Sequence, residues 1–310
     1  MDRLPHIAMV GDSLSRDFYV SSLLSMIWRS KMNHGRDWFL DTDPSANSIY
    51  SLYERLAQET PLAACEYSSV GAWVDFGENR ERFLGSWFVF SFSQQVDLIL
   101  EEKRFPDLVL LWIGHNNLRW TRSVDPRQPE KIEAGLKKMA ADFRQDYTRQ
   151  LGRLVERAQE QKERRAIIVF GLVNMNCFFE ARDAAEQLRK KNPKLYPYFD
   201  VVCQRFESAK PEYRANMVKL ALMYNEELRA LVGEFNRKLG GDSPVRLEYS
   251  DALAAADLSD VKVLHRIDAW HPSTKAHNVL AKAAFGALGP SLNFLGIEPL
   301  QNNTDSKVSQ

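Results

Sequence analysis

A serine follows directly after the first strongly apolar run of the chain. The run Ile7–Val10 leads into Gly11-Asp12-Ser13-Leu14, so Ser13 stands where a buried strand would end and a helix would begin. Reactive groups of open α/β sheets collect at this position, outside the carboxyl ends of the strands. A serine hydroxyl placed there can attack an acyl carbon if a base lies beside it.

A carboxylate and an imidazole stand close together near the other end of the chain, in Asp268-Ala269-Trp270-His271. An imidazole ionises near neutral pH, so it can accept the proton of a serine and later return it to a leaving group. A carboxylate one turn away can hold the imidazole in the tautomer that the reaction needs. Ser13, His271 and Asp268 are therefore candidates for the nucleophile, the base and the orienting acid of a serine hydrolase.

Two further blocks lie between these, each just after an apolar run: Gly71, and Gly114-His115-Asn116-Asn117. In this order and at these positions, the four blocks resemble the GDSL or SGNH hydrolase family, which is named after catalytic Ser, Gly, Asn and His. The resemblance spans about residues 6 to 288, and Gly171, Asn225 and Asp251 are further echoes of it.

The resemblance implies a role for each block. Ser13 would be the nucleophile, and the oxyanion would be bound by the backbone N–H groups of Ser13 and Gly71 and by the side-chain amide of Asn116. The third block of the family usually reads Gly-x-Asn-Asp, whereas Asn117 replaces the acid here. Four neighbouring residues are expected to contact substrate: Asp12, Asn117, Trp120 and Trp270.

Each block also has a purely structural interpretation when it is taken alone. Ser13 could cap a helix in a strand-to-helix turn, Gly71 could serve a turn, and Asn116 could cap a loop. The four blocks together favour catalysis. His265, His271 and His277 are spaced six apart, which matches no helical face, so no metal site is predicted and no cofactor is expected.

The elements that must position these residues alternate along the chain. Five short apolar runs predict strands at His6–Val10, Leu62–Ser68, Leu108–Ile113, Ala166–Leu172 and Val245–Tyr249. Helical spacing predicts helices at Asp17–Lys31, Asn47–Ala57, Ser93–Lys103, Pro129–Gln161, Pro211–Leu239 and Ser273–Leu288. This alternation favours a three-layer α/β/α sandwich with a central, mainly parallel five-stranded sheet, which is the flavodoxin-like fold of SGNH hydrolases. We expect a single domain over residues 1–300, with a helical insertion around 174–211 and a flexible tail over 301–310.

Composition limits the function classes. Lys and Arg total 41 and so do Asp and Glu, so net charge offers no bulk attraction to nucleic acid or to an anionic membrane. No segment has the apolar length of a membrane span, and no secretory leader is visible. The three cysteines form no Cys-x-x-Cys pair, which favours free thiols and a cytoplasmic location. The oligomeric state is not readable from the sequence.

The function predicted on this basis is a serine acyl-ester hydrolase of the esterase or lipase type, acting on a small-molecule or lipid ester. A lysophospholipase or carboxylesterase substrate is favoured over the alternatives of a carbohydrate O-acetylesterase or an acyltransferase. A catalytically silent α/β binding protein is the alternative from a different class. Aromatic and methionine side chains such as Met175 and Phe178 could line an acyl pocket, or they could simply pack the added helices.

Overall fold

A parallel β-sheet forms the centre of the molecule. The computed structural model describes residues 4–16, 37–41, 49–58, 60–74, 91–118, 128–200 and 211–297. Within them the strands are β1 (His6–Gly11), β2 (Ala63–Glu66), β3 (Leu108–Trp112), β4 (Arg165–Phe170) and β5 (Val245–Ser250). All five predicted strands are present, with bounds that differ by two residues or fewer at each end.

The sheet has the order β2-β1-β3-β4-β5, and all four pairings are parallel. Every residue of β3 and β4 is buried, which explains why these strands are apolar on both faces. The strand order reverses at β1, and Gly11 at its end pairs with Trp112 at the end of β3. In this topology the crevice beyond β1 and β3 is the usual ligand site.

Helices cover both faces of the sheet and confirm the predicted α/β/α sandwich. They are α1 (Leu52–Ala57), α2 (Phe92–Leu100), α3 (Pro129–Glu160), α4 (Met175–Lys191), α5 (Pro211–Leu239), α6 (Thr274–Ala287) and α7 (Gly289–Leu295), with a 3₁₀ turn at Val261–Val263. In one group α3 packs against α2 and α5, whereas in the other α6 packs against α1 and α7. In the described part of the crossover from β4 to β5 lie the helices α4 and α5.

Local capping explains where two of these helices begin. The predicted helix Asn47–Ala57 starts only at Leu52, because Ser51 and Glu54 form a capping box. The hydroxyl of Ser273 accepts a hydrogen bond from the N–H of Ala276, so α6 begins one residue after the predicted start.

Some predictions lie outside the described residues. These are the helix at Asp17–Lys31, the substrate contact at Trp120, the tail over 301–310 and the part of the insertion over 201–210. Cys65 and Cys177 are free thiols. Among the helices that the structure describes, none is both long enough and apolar enough to cross a membrane.

Candidate active site

Ser13 lies on the turn that follows β1, and its neighbours on that turn are nearly all buried. Gln95 of α2 holds the start of the turn, since its amide accepts from the N–H of Gly11 at 3.0 Å and donates to the carbonyl of Gly11 at 2.9 Å. A Cβ at position 11 would lie 2.0 Å from Oγ of Ser15, so the close approach within this turn requires glycine. These contacts fix the backbone that carries Ser13.

Asp12 and His115 join the turn after β1 to the loop after β3. One oxygen of Asp12 accepts from the N–H of Leu14 at 3.0 Å, and the other accepts from the N–H and from Nδ1 of His115 at 3.2 and 2.9 Å. The N–H of Val173 donates to Nε2 of His115 at 3.3 Å, which assigns the imidazole hydrogen to Nδ1. A neutral His115 thus links three loops at the carboxyl edge of the sheet.

Asp268 and His271 form a fixed pair on the loop before α6. Nδ1 of His271 lies 2.5 Å from Oδ2 of Asp268, and both side chains are almost fully buried. Oδ1 of Asp268 accepts from the N–H groups of Trp270 and His271 at 2.9 and 3.1 Å. With hydrogen on Nδ1, the lone pair is on Nε2, which is the atom that can take a proton from a nucleophile.

Two of the three candidate oxyanion groups, Gly71 and Asn116, lie close together at the loop after β2. Gly71 has φ of 78°, a left-handed conformation that favours glycine. Nδ2 of Asn116 donates to the carbonyl of Ala72 at 2.7 Å, next to Gly71. A carboxamide nitrogen carries two hydrogens, so this bond can orient the amide while the second hydrogen serves a ligand.

Asn117, which stands where the family usually has an acid, binds the backbone of a neighbouring loop. Its side chain is fully buried, and its amide accepts from the N–H of Val74 at 2.9 Å and donates to the carbonyl of Val74 at 2.8 Å. Only an amide can make both bonds, because a carboxylate has no hydrogen to donate. The side chain of Asn117 therefore ties the loop after β3 to the loop that carries Gly71.

A narrow cleft brings several predicted residues together. Ser13, Asn116 and Trp270 line it, along with Leu14, His115, Leu118, Val173, Met175, Phe178 and Met217. A purely apolar hollow adjoins the cleft and shares Leu14, Val173, Phe178 and Trp270 with it. The side chains lie so close together that each space has room for about one water molecule.

The residues predicted to contact substrate differ in whether they line the cleft. Trp270 lines the cleft, whereas the carboxylate of Asp12 and the amide of Asn117 are fully buried and bound to neighbouring loops. Sequence reasoning assigned no function to His115, Gln95 or Arg182, each of which bonds to a group between 58 and 103 residues away in the chain. One signal was available for Gln95, because it is a polar residue on the apolar face of α2.

A buried carboxyl pair stands beside the turn that bears Ser13. Asp37 and Glu66 are almost fully buried, and Nε of Arg16 lies 3.8 Å from Oε2 of Glu66. Burial and the neighbouring charge of Glu66 raise the pKa of Asp37 well above its usual range. Burial also raises the pKa of Glu66, although Arg16 opposes this shift.

The three evenly spaced histidines have separate environments. Nδ1 of His265 accepts from the N–H of Ile267, and Nδ1 of His277 accepts from the N–H of Trp38. His271 is bound to Asp268. In the described part of the chain, no group of three or more His, Cys, Asp or Glu side chains is arranged to hold a metal ion.

Comparison with known proteins gives one family. The family model described as GDSL-like Lipase/Acylhydrolase matches residues 7–284. Two solved structures align with most of this chain at low sequence identity. The lipase Lip_vut3 from a goat rumen metagenome is 14% identical, with a TM-score of 0.46 and coverage of 91% of this chain and 97% of the lipase. The salicylyl-acyltransferase SsfX3 from a tetracycline biosynthetic pathway is 15% identical, with a TM-score of 0.45 and coverage of 97% of this chain and 57% of the transferase. No curated protein matches this chain.

Proposed function

The chain belongs to the GDSL-like lipase/acylhydrolase family, and we propose that it is a serine hydrolase that cleaves carboxylic esters through an acyl-enzyme on Ser13. The observation that carries this proposal is the buried His271–Asp268 pair, whose loop also supplies Trp270 to the cleft lined by Ser13. A hydrogen-bonded imidazole–carboxylate pair that takes the proton of a serine hydroxyl is the machinery of acyl transfer.

The first half of the reaction forms the acyl-enzyme. Oγ of Ser13 attacks the ester carbonyl while Nε2 of His271 takes the hydroxyl proton, and Asp268 stabilises the imidazolium through Nδ1. The negative oxygen of the tetrahedral intermediate is bound by the N–H groups of Ser13 and Gly71 and by the amide of Asn116. The intermediate collapses when Nε2 of His271 returns the proton to the leaving alkoxide, which departs as the alcohol.

The second half of the reaction releases the acid. Water attacks the acyl carbon, and Nε2 of His271 removes one of its protons as it did from Ser13. The second tetrahedral intermediate uses the same oxyanion donors, and its collapse expels Oγ of Ser13, which regains the proton from His271. An alcohol in place of water would make the same chemistry an acyl transfer.

An apolar acyl group is the substrate feature that the cleft favours. Its walls include Leu14, Met175 and Phe178, and the adjoining hollow has only apolar lining. This lining supports a carboxylesterase or lysophospholipase substrate over an acetylated sugar. Both spaces are narrow, so a long chain requires these side chains to move apart when it binds.

Covalent labelling tests the reaction class. A fluorophosphonate probe should label the wild-type protein once, and peptide mass spectrometry should locate the label on Ser13. Ser13→Ala should not be labelled, and a folded but unlabelled wild-type protein would favour the catalytically silent alternative. A series of p-nitrophenyl esters from acetate to palmitate then measures chain-length preference, for which we expect kcat/KM to increase beyond acetate.

A further inference from the structure

A buried arginine lies against the loop that carries His271. Arg182 of α4 is fully buried, and its Nη1 donates to the carbonyl of Ala269 at 2.6 Å and to that of Asp268 at 3.4 Å. Its Nη2 donates to the carbonyl of Phe199 at 3.4 Å. Burying a cation costs free energy unless it is well hydrogen-bonded. We therefore infer that Arg182 is buried here because its N–H groups bind these three carbonyls.

The carbonyl that makes the shortest of these bonds belongs to a residue in a disfavoured conformation. Ala269 has φ of 52°, in the left-handed region that non-glycine residues seldom adopt. Its N–H donates to the carbonyl of His265 at 3.0 Å, so both of its backbone polar groups are held. Such a conformation persists only where the surroundings enforce it.

The same arginine also holds one wall of the cleft. Its guanidinium lies 5.3 Å from the ring of Trp270 and 4.1 Å from the ring of Phe199. Phe178, one turn earlier on α4, meets the ring of Trp270 edge-on at 4.9 Å. The residues on either side of Ala269 are therefore held by one face of α4: Asp268 by a carbonyl contact, and Trp270 by ring contacts.

The segment after α4 completes this support. The N–H groups of Tyr196 and Tyr198 donate to the carbonyls of Arg266 and Ile267 at 3.0 and 2.9 Å. These two bonds attach the turn that follows α4 to the turn that leads into Asp268, and Arg182 binds the same loop at Ala269. The carboxylate of Asp268 and the imidazole of His271 gain a rigid backbone on which their 2.5 Å contact depends.

We propose that Arg182 is a positioning residue for His271. It holds Ala269 in the left-handed conformation through the carbonyl bond and so fixes the Asp268–His271 pair and the ring of Trp270. The inference rests on the proposed role of His271 as the base, because only then does the orientation of this imidazole control the reaction rate. Arg182 itself touches no reacting atom in this proposal.

Arg182→Met tests the proposal because it keeps most of the side-chain length and removes the donors. We expect kcat for p-nitrophenyl butyrate to fall about 10- to 100-fold with a much smaller change in KM. The proton NMR signal of Nδ1–H of His271, assigned with labelled histidine, should move or broaden in the same variant. The Arg182→Met/Ala269→Gly double variant should regain part of the lost kcat, because glycine adopts positive φ readily.

Arg189→Met is the matched control. Arg189 is on the same helix and also stacks on Phe199, at 4.9 Å, but its guanidinium pairs with Asp200. We expect Arg189→Met to retain wild-type kcat and the wild-type NMR signal. Equal losses in the two arginine variants would overturn the proposal, and so would a kcat for Arg182→Met within twofold of wild type, or no recovery with glycine at position 269.

Two further measurements separate other outcomes. If Arg182→Met does not fold, Arg182→Lys decides, since one shorter ammonium cannot replace both Nη1 at the carbonyl of Ala269 and Nη2 at that of Phe199. A reduced kcat with a shifted signal supports the proposal, and wild-type values overturn it. If wild-type protein takes no fluorophosphonate label, the proposed function fails. The NMR comparison still reports whether Arg182 positions His271.

Discussion

The carboxylate of Asp12 and the imidazole of His115 lie 2.9 Å apart, directly beside the turn that bears Ser13. Three N–H donors converge on this carboxylate, from the backbones of Leu14 and His115 and from the ring of His115. Since Val173 donates to the other ring nitrogen, the imidazole hydrogen must face Asp12. Asp12 thus acts as an acceptor at the centre of the three loops.

Asp12→Asn is expected to lower kcat by about 10-fold or more, because its NH2 group would face one of the three donors and displace the Ser13 turn. His115→Ala should have a similar effect, and the Asp12→Asn/His115→Ala double variant should lose little more than the worse single variant. Steady-state kinetics on p-nitrophenyl acetate provide the measurement. Losses that multiply across the two sites would show that Asp12 and His115 act separately.

Ser13→Ala and His271→Ala should each lower ester hydrolysis by at least ~10³-fold, because a nucleophile and its base act as one unit. The double variant should be no slower than either single variant for the same reason. Circular dichroism melting curves check that each variant is folded. Retention of more than a tenth of wild-type activity by Ser13→Ala would require another nucleophile.

The large features of this site follow from the sequence, since they depend on patterns that recur along the chain. A strand that is buried on both faces is an uninterrupted apolar run, so β3 and β4 can be recognised in the sequence. Because the strands are parallel, the residues that follow these runs lie at one edge of the sheet. This reasoning placed Ser13 and Asn116 at the same edge of the sheet, whereas the adjacency of β1 and β3 is known only from the structure. Their chemical roles remain predictions.

The contacts that orient these residues left no comparable signal. Asp12 and His115 are 103 residues apart, and Arg182 and Ala269 are 87 residues apart. A hydrogen bond between groups that are far apart in the chain produces no repeating pattern in the sequence. Neither charge pattern nor hydropathy therefore indicates it. Arg182 is one of several basic residues in α4, and its type alone did not distinguish it from a solvated side chain.

Asn117→Asp should destabilise the fold, although aspartate is the usual residue of the resembling motif. The buried amide bonds to both backbone groups of Val74, and a carboxylate would face the Val74 carbonyl without a hydrogen. We expect the free energy of unfolding in urea to fall by about 1–3 kcal/mol. Asn236→Asp is the control, since the exposed Asn236 makes the same paired contacts to Leu247.

The two asparagine variants should differ because water can hydrate a carboxylate at position 236 but not at position 117. Asn236→Asp should therefore cost less stability than Asn117→Asp and should leave kcat unchanged. A wild-type urea midpoint for Asn117→Asp would mean that the loop after β3 accommodates the acid by moving away from Val74.

His277 should make stability depend on pH. Burial lowers the pKa of His277 to about 3 from its ordinary 6.5, with a smaller contribution from His265 and His271. The unfolded chain takes up a proton below about pH 6.5 while the native imidazole remains neutral, so acidification favours unfolding. The stability that the neutral histidine contributes is complete above that pH and is lost as the pH falls toward 3.

His277→Asn removes this titration while keeping an acceptor for the N–H of Trp38, which His277 now binds at 3.2 Å. The stability difference between wild type and this variant should shrink by about 1.4 kcal/mol between pH 7.5 and 5.5, the value of one pKa unit. Urea titrations at both pH values measure it. The comparison is made between variants because Asp37, whose pKa is raised, titrates with the opposite sign. A constant difference would show that His277 titrates normally in the native state.

Asn116→Ala should lower kcat by about 10²–10³-fold with little change in KM, because its amide is proposed to bind the oxyanion, which exists only during the reaction. The bond from Nδ2 to the carbonyl of Ala72 at 2.7 Å holds the amide in one orientation before substrate arrives.

Asn116→Asp is the matched variant. It keeps the shape of the side chain but places a negative charge against both the Ala72 carbonyl and the oxyanion, so its kcat should be lower still. Kinetics of both variants on one p-nitrophenyl ester test the assignment. A loss under tenfold for Asn116→Ala, or a loss confined to KM, would assign the oxyanion contact to another group.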